Sequence, residues 1–363
     1  MRDRVGISAV RDLLARAIAD RLFPAAVAEV GDSHQTLWRE SFGALSFADS
    51  APLANDAVIF DLASLTKPIA TTSIIMSLVA GGRLALDELI GRCFHEWRGA
   101  DRAGVTVQDL LEQTGGLAAR LVDPAPLGRR EFEHEISVMP LEYPPRSKAV
   151  YSDLGFILLG FLAEDRGGRP LAALFDEVVA PASAASGDDS SADVLRFLVP
   201  RQWRARTAPT MPLPEDPRRG RLLTGEVHDA FAARLGGAAG HAGLFGTSSG
   251  VGRFARAMLR GARGTGFQLP PLTTTIVQRA IRKSTVPGSS RALGWDTMLT
   301  TSSCGSRMSP AAFGHVGFTG TSLWIDPVLE RYFVLLTNRA CGGGSLDGMR
   351  EVRRAFHDAL IQS

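Results

Sequence analysis

The chain has 363 residues, of which 45% are hydrophobic and 21% charged, as expected for a globular protein with a large core. The formal net charge is only +2, and acids are interspersed among the basic residues, which excludes a strong attraction to nucleic acid or to an anionic membrane. Three cysteines, Cys93, Cys304 and Cys341, are too few and too widely spaced for a disulfide framework or a zinc site. No cofactor is predicted, because the chain has neither a phosphate-cradling loop nor a dinucleotide-binding fingerprint.

The N-terminal region predicts a helix rather than a targeting signal. Residues 7–22 have apolar side chains at helical spacing, but Arg11, Asp12, Arg16 and Asp20 interrupt them. A signal peptide needs an uncharged apolar segment of about 7–15 residues, which this run lacks. No other segment reaches about 18 apolar residues without a charge. The sequence therefore predicts a cytoplasmic protein without a membrane span.

Strand-like and helix-like stretches follow an order typical of an α+β protein. A hairpin is predicted where residues 25–30 and 35–42 flank Gly31-Asp32-Ser33-His34. Further strands are predicted at residues 58–62, 292–297, 314–318, 322–325 and 331–336. Helices are predicted at residues 7–22, 65–79, 107–113, 153–164, 170–179, 249–260, 274–282 and 349–360. A surface loop is predicted at residues 183–193, which are low in complexity, and an irregular segment at residues 209–221, which are rich in proline.

The strands gather towards the two ends of the chain, and helices lie between them. This distribution predicts an α/β lobe that carries the sheet, formed by residues 1–83 and 285–363. Residues 84–284 are predicted to form a mainly helical lobe inserted into it. We expect the functional site in the cleft between these lobes, where distant parts of the chain meet. The sequence gives no indication of the oligomeric state.

The stretch Ser64-Leu65-Thr66-Lys67 places a hydroxyl and an amine one helical turn apart. Residues at positions i and i+3 share a helix face, so the amine of Lys67 can reach the oxygen of Ser64. A free serine hydroxyl is a poor nucleophile at neutral pH and needs an adjacent base or cation. The structural alternative is an ordinary helix start, since serine is a favoured N-cap residue.

Two further motifs lie downstream, and the three motifs together carry a family resemblance. They are Tyr151-Ser152-Asp153 and His315-Val316-Gly317, the second continuing into Phe318-Thr319-Gly320. In this order and at about this separation, the motifs resemble the serine β-lactamase and penicillin-binding-protein superfamily. The chain is most similar to the class C-type branch, which includes esterases and D-peptidases. The resemblance extends from Phe23-Pro24 to about Asn338-Arg339.

The resemblance implies a fold and a set of site residues. The implied fold is an antiparallel sheet flanked by helices from the N- and C-terminal segments, with an inserted helical lobe. The implied catalytic residues are Ser64, Lys67 and Tyr151, and the implied oxyanion hole is formed by the backbone N–H groups of Ser64 and Phe318. Asp153, His315 and Gly317 are implied to bind substrate. No metal or organic cofactor is implied.

Two residues depart from the family pattern. Asp153 stands where penicillin-recognising members usually carry asparagine, and a carboxylate accepts hydrogen bonds but cannot donate them. His315 stands where many members carry lysine, and a histidine near its usual pKa is mostly neutral at pH 7. Both changes favour neutral esters or amides over anionic β-lactams. His228 and His241 lie in glycine-rich sequence, where a structural role is favoured over one in the cleft.

The sequence therefore predicts a serine hydrolase that forms an acyl-enzyme, with small acyl esters as the preferred substrates. Tyr151 and Lys67 are expected to handle the proton of Ser64, either through a tyrosinate or through a shared network in which the base is not assigned. A β-lactamase, a D-amino-acid-specific peptidase and an acyltransferase are the enzymatic alternatives. A catalytically silent binding protein on the same fold is the non-enzymatic one.

Overall fold

The computed structural model describes residues 2–120, 126–178, 193–265 and 272–361. The predicted loop at residues 183–193 lies, except for Asp193, outside these ranges. The strands are β1 (Ala25–Gly31), β2 (Thr36–Gly43), β3 (Phe60–Asp61), β4 (Leu195–Phe197), β5 (Leu244–Gly246), β6 (Asp296–Thr297), β7 (Phe313–Val316), β8 (Ser322–Asp326) and β9 (Arg331–Thr337). Six of them form an antiparallel sheet in the order β2-β1-β9-β8-β7-β6.

The helices surround this sheet, and most of those in the described ranges lie between its first two and its last four strands. They are α1 (Arg2–Ala19), α2 (Ser73–Ala80), α3 (Ile90–Cys93), α4 (Val107–Leu111), α5 (Arg129–Val138), α6 (Asp153–Gly167), α7 (Leu171–Val178), α8 (Ala230–Arg234), α9 (Ser248–Arg263), α10 (Thr274–Ala280), α11 (Arg339–Gly342) and α12 (Leu346–Leu360). The predicted α+β class with an antiparallel sheet is confirmed.

Alternation along the strands divides the core between the two faces of the sheet. Trp324 and Phe333 point into one core, which they share with residues of α1 and α12. Their neighbours Leu323 and Val334 point into the larger core on the other face, which also contains residues of α2, α6 and α9. Successive side chains of a strand point to opposite faces of the sheet. Here both sets of side chains are apolar, and helices cover both faces.

The predicted elements are mostly present, but two strands are shorter than expected. Of residues 58–62 only β3 is a strand, because Ala63 adopts a left-handed conformation with φ of 47° and turns the chain. Of residues 292–297 only β6 remains, because Gly294, with φ of 74°, turns the chain. Residues 209–221 are irregular, as predicted.

The segment from residue 84 to 284 contains strands as well as helices. β4 and β5 pair with β3 in a small sheet of order β3-β5-β4. Helix α9 packs against β1, β8 and β9 of the large sheet, whereas α2 packs against α6 and α7. The proposed boundaries of the two lobes, at residues 83/84 and 284/285, stay a prediction.

One helical stretch has the length and apolar composition of a membrane span among the residues that the structure describes. It is Ala63–Ala80, and 78% of it is buried inside the fold. Burial in the protein core therefore accounts for its apolar composition. The cytoplasmic location stays a prediction.

His357 of α12 is a titratable group in the apolar core between the sheet and the terminal helices. Its ring makes edge contacts with Phe333 and Phe356, and its Nε2 lies 3.3 Å from the hydroxyl of Ser322. Burial, assisted by the nearby charge of Arg353, lowers the pKa of His357 to about 3. The imidazole is therefore neutral in the folded protein across the physiological pH range.

We predict that His357 makes the fold sensitive to acid. Between pH 6.5 and 3 the unfolded chain binds a proton at this residue that the folded chain does not, so stability falls as the pH falls. The slope from this one group approaches ~1.4 kcal/mol per pH unit. His357→Gln removes the titration and should flatten the pH dependence of the free energy of unfolding, measured by urea denaturation between pH 7 and 4. An unchanged slope in the variant would show that His357 is not the group responsible.

Candidate active site

The turn that follows β3 presents Ser64 at the start of the buried helical stretch. Ala63–Leu65 form a 3₁₀ turn, and Lys67–Thr72 continue it as a π-helix before α2 begins. The carboxylate of Asp61 stabilises the strained turn by accepting hydrogen bonds from the N–H groups of Ala63, at 2.8 Å, and of His228, at 2.6 Å. Burial raises the pKa of Asp61 to about 6.

Lys67 lies one turn further along, and its ammonium group is completely enclosed. Its Nζ atom lies 3.0 Å from Ser64 Oγ and 2.7 Å from Tyr151 Oη. It also lies 2.7 Å from Asp153 Oδ1 and 3.0 Å from the carbonyl oxygen of His241. Burial alone would lower the pKa of Lys67, but attraction to Asp153 and Tyr151 outweighs it and raises the pKa above its usual value. Lys67 is therefore a cation in the resting protein.

Tyr151 connects Ser64 and Lys67 to Asp153. Its hydroxyl lies 2.6 Å from Ser64 Oγ and 3.2 Å from Asp153 Oδ1. Burial and the charge of Asp153 raise the pKa of Tyr151, and the opposing effect of Lys67 does not overcome them. The tyrosinate considered from the sequence is thus disfavoured in this state, because the carboxylate of Asp153 already compensates the lysine charge.

Asp153 is the first residue of α6, and cations contact both of its carboxylate oxygens. Oδ1 pairs with Lys67, and Oδ2 lies 3.1 Å from Nη1 of Arg120. Burial would raise the pKa of Asp153, but Lys67 first, followed by other charges including Arg120, lowers it below its usual value. The negative charge that the sequence places beside the substrate is therefore compensated within the protein.

The series of ion pairs that begins with Lys67 and Asp153 continues through Arg120 to further residues. Arg120 also lies 2.9 Å from Asp229 Oδ2, and the other oxygen of Asp229 lies 2.8 Å from Nε2 of His241. The interactions with His241, followed by the charge of Arg120, hold the pKa of Asp229 well below its usual range against the effect of burial. His241 thus supports the site twice, through its carbonyl on Lys67 and its ring on Asp229.

A tight turn between β7 and β8 forms the opposite wall of the site. Thr319 Oγ1 donates to the carbonyl of Asp61 at 2.7 Å, and Thr321 Oγ1 donates to the carbonyl of Leu62 at 3.0 Å. A Cβ atom at Gly317 would lie 2.5 Å from the Leu62 oxygen, so only glycine permits this approach. The turn that carries the Phe318 N–H is therefore fixed against the segment that carries Ser64.

His315 lies on β7 and lines the same cleft. Its Nδ1 donates to the carbonyl of Val316 at 2.8 Å, and its ring centre lies 6.1 Å from that of Tyr151. Burial, followed by the charges of Arg291 and Lys67, holds the pKa of His315 well below its usual value. The imidazole is neutral at physiological pH, as expected from the sequence.

These side chains surround one open cleft with a volume of about 880 Å³. Ser64, Tyr151, Asp153, His315, Gly317 and Phe318 all line it, so the structure brings together the residues that the sequence singled out, with Lys67 beneath them. His228 also lines the cleft, where it stacks on the ring of Phe318 at 5.3 Å and bonds through Nε2 to the carbonyl of Met211 at 3.0 Å. Within the described ranges, no group of His, Cys, Asp and Glu side chains has an arrangement that could hold a metal ion.

Sequence reasoning missed the charged residues that support the site. Arg120 and Asp229 are separated by more than a hundred residues, so nothing in the sequence indicates that they pair, and no separate role is predicted for Thr319 or Thr321. An acidic residue at position 153 was the available signal, because a buried carboxylate requires a cationic partner.

Comparison with known proteins finds sequence relatives and solved structures of similar fold. A protein of Escherichia coli O157:H7 named "Putative D-alanyl-D-alanine carboxypeptidase" is 30% identical over 341 residues, covering 84% of this chain and 76% of the relative. The solved structure of EstCE1, described as a hydrolase with promiscuous acyltransferase activity, is similar with a TM-score of 0.75 at 19% identity, covering 99% of both chains. A class C beta-lactamase is similar with a TM-score of 0.77 at 15% identity, covering 100% of this chain and 98% of the other.

The two solved structures show only that the fold is similar, whereas the sequence comparison identifies the family. The Beta-lactamase family matches residues 10–357, which is nearly the whole chain. The match includes both ends of the large sheet and all three motifs around the cleft. The chain therefore belongs to the beta-lactamase family of serine hydrolases.

Proposed function

We propose that this protein is an esterase in which Ser64 forms an acyl-enzyme with small, uncharged acyl esters. The observation that carries the proposal is the contact of Ser64 Oγ with both Tyr151 Oη, at 2.6 Å, and Lys67 Nζ, at 3.0 Å. An activated serine needs a neighbouring group that can take its proton and a cation that stabilises the resulting negative charge. A serine that merely capped a helix would need neither partner.

The contacts suggest a route for the proton of Ser64. As Ser64 attacks the ester carbonyl, its proton passes to Tyr151, which releases its own proton towards Asp153 Oδ1 at 3.2 Å. Lys67 touches all three oxygens and remains a cation, so it stabilises the charge at each stage. The proton then returns through Tyr151 to the leaving alcohol, and water repeats the sequence to release the acid. The three residues act as one coupled group.

The proposed oxyanion hole lies between the turn that carries Ser64 and the turn that joins β7 to β8. The N–H groups of Ser64 and Phe318 would donate to the carbonyl oxygen of the ester, which becomes negative during attack. In the described part of the chain, no hydrogen bond engages the Phe318 N–H. The hydrogen bonds of Thr319 and Thr321 would keep the two donors at a constant separation while charge develops.

The charges of the cleft favour a neutral substrate. His315 is neutral, and Asp153 is compensated by Lys67 and Arg120. The charged lining residues nearly balance: they are arginines 120, 234, 291 and 353, and acids 153, 215, 216, 229 and 296. Large apolar side chains line the cleft and stay exposed, namely Leu213, Phe318 and Leu346. These features suit an apolar ester better than an anionic β-lactam.

A D-amino-acid-specific peptidase is the second candidate. The name of the Escherichia coli relative favours it, and Arg291 supplies a cation at the cleft that could hold a substrate carboxylate. Arg291 lies 4.0 Å from Asp296, however, and this carboxylate reduces its attraction for an anion. Acyl transfer to an alcohol would use the same acyl-enzyme, as the description of EstCE1 suggests. A silent binding protein is disfavoured, because it would not need the Ser64, Lys67 and Tyr151 contacts.

We predict that Ser64→Ala abolishes both ester turnover and covalent labelling by a fluorophosphonate, while the melting temperature stays near that of the wild type. The change removes one hydroxyl that only partly contributes to packing, but it removes the nucleophile on which the whole reaction depends. Ser77→Ala is the matched control, since Ser77 is a half-buried serine of the same helical stretch. More than about a tenth of the wild-type rate in Ser64→Ala would exclude Ser64 as the nucleophile.

Tyr151→Phe and Lys67→Ala should each lower kcat/KM for esters by about 10²–10⁴-fold, the range for loss of an acid–base group. The double variant should be scarcely worse than either single variant, because both residues belong to one proton network. Single-turnover kinetics with p-nitrophenyl esters measure the effect on acylation, and thermal unfolding checks that each variant is folded. Losses that multiply in the double variant would show that the two residues act independently.

The preference for neutral substrates is tested by comparing kcat/KM for p-nitrophenyl butyrate, a chromogenic cephalosporin and a D-alanyl-D-alanine peptide. One charge contact worth ~1.4 kcal/mol already separates two substrates by about tenfold, so we expect at least this advantage for the ester. His315→Lys combined with Asp153→Asn should shift the ratio towards the cephalosporin. Equal or faster turnover of the cephalosporin by the wild type would contradict the esterase proposal, and faster turnover of the peptide would favour the second candidate.

A further inference from the structure

Two buried arginines lie behind the Phe318 turn and bind the carbonyl oxygens on either side of that residue. Arg353 of α12 donates from Nη2 to the carbonyl of Gly317 at 2.7 Å and to that of Thr321 at 2.9 Å. Arg339 donates from Nε, at 3.0 Å, and from Nη2, at 2.6 Å, to the carbonyl of Phe318. Their exposures are only 6% and 5%.

Neither guanidinium forms a salt bridge within the residues described. The two charges are balanced there by backbone carbonyl dipoles and, for Arg339, by the ring of Phe318, whose centre lies 4.5 Å from Cζ. Burial lowers the pKa of Arg339, and burial together with repulsion from Arg339 lowers the pKa of Arg353 to about 9. The Nε atom of Arg353 also has no partner in the described chain. A buried cation without a counter-ion is costly, and a negative charge that appears nearby is stabilised by it.

The acceptor of the Arg353 hydrogen bond belongs to the same peptide group as the Phe318 N–H. In a trans peptide the carbonyl and the N–H point in opposite directions. A cation bound to the carbonyl oxygen of Gly317 draws electron density towards it and makes the Phe318 N–H a stronger donor, because hydrogen bonds in a chain polarise one another. The bond also fixes the plane of the peptide and therefore the direction of the N–H.

We infer that Arg353 is a positioning residue that polarises the Gly317–Phe318 peptide and so strengthens the oxyanion hole, with Arg339 fixing the next carbonyl. This inference rests on the proposed function, in which the Phe318 N–H binds the developing oxyanion. Arg353 itself does not contact the reacting atoms. Its effect reaches them through one peptide group and through the field of its charge.

The test compares three substitutions of Arg353 in the full chain. Arg353→Lys keeps a charge and a donor, Arg353→Gln keeps a donor without charge, and Arg353→Met keeps neither. Arg102→Met is the matched control, because Arg102 is also buried and donates to two carbonyls, those of Ser137 and Met139, both at 2.7 Å, but does not line the cleft. If Arg353→Met does not fold, the Gln and Lys variants alone decide the question, since they differ in charge and both provide a donor.

The readouts are kcat and KM for p-nitrophenyl butyrate, and the infrared carbonyl stretch of the acyl-enzyme formed with a slowly released ester. We expect kcat to fall by about 10–100-fold in Arg353→Gln, somewhat less than the loss of one oxyanion-hole donor, with little change in KM. Arg353→Lys should recover most of this loss. The carbonyl stretch should move to higher wavenumber in the Gln variant, as the hydrogen bond to the acyl carbonyl weakens.

Two results would overturn the inference. One is a Gln variant with the kcat and carbonyl stretch of the wild type, and the other is an equal loss of kcat in Arg102→Met at equal loss of stability. Fluorophosphonate labelling separates these results from a failure of the proposed function. If the wild type is labelled at Ser64 but the Arg353 variants behave as wild type, the inference alone is wrong, whereas absence of labelling in the wild type contradicts the proposed function itself.

Discussion

Lys67 has no exposed surface, yet its ammonium nitrogen lies within hydrogen-bonding distance of four oxygen atoms. These belong to the turn after β3, to the start of α6 and to the loop before β5, so one cation connects three separate parts of the chain. Removing an ammonium from water costs several kcal/mol, and only well-placed acceptors offset that cost. Asp153 is the one that carries a full negative charge, and this explains why a carboxylate at position 153 suits the site.

The β7–β8 turn, which forms the wall of the site opposite Ser64, is held in place by hydrogen bonds from threonine rather than by charge. Thr319 and Thr321 bind the backbone carbonyls of Asp61 and Leu62, which immediately precede the Ser64 turn. The separation between the serine and the β7–β8 turn is thus set by short hydrogen bonds from two buried threonine hydroxyls to backbone carbonyls. Side-chain mobility in the cleft would leave this separation unchanged, which a hole for a developing oxyanion requires.

The pairing of charges also affects whether the cleft favours neutral or anionic substrates. The sequence shows an acidic residue at position 153 without its partners, and in the structure Lys67 and Arg120 compensate its charge. The preference for neutral substrates therefore rests more on the neutral imidazole of His315 and on the apolar rim than on repulsion by Asp153. Arg291, which the sequence did not single out, is the residue through which a preference for carboxylates would arise.

The sequence alone determined the class of fold and the three motifs of the site, because both depend on local patterns. Strand-like apolar runs located most strands of the large sheet, and the spacing of Ser64 and Lys67 predicted their contact on one helical face. Only the tertiary structure decided the partners of Asp153 and the state of Tyr151, because pKa values depend on burial and on charges such as Arg120 that are distant in sequence. The arginines behind Phe318 were likewise invisible in the sequence, since a buried arginine bound to carbonyl groups follows no pattern of spacing.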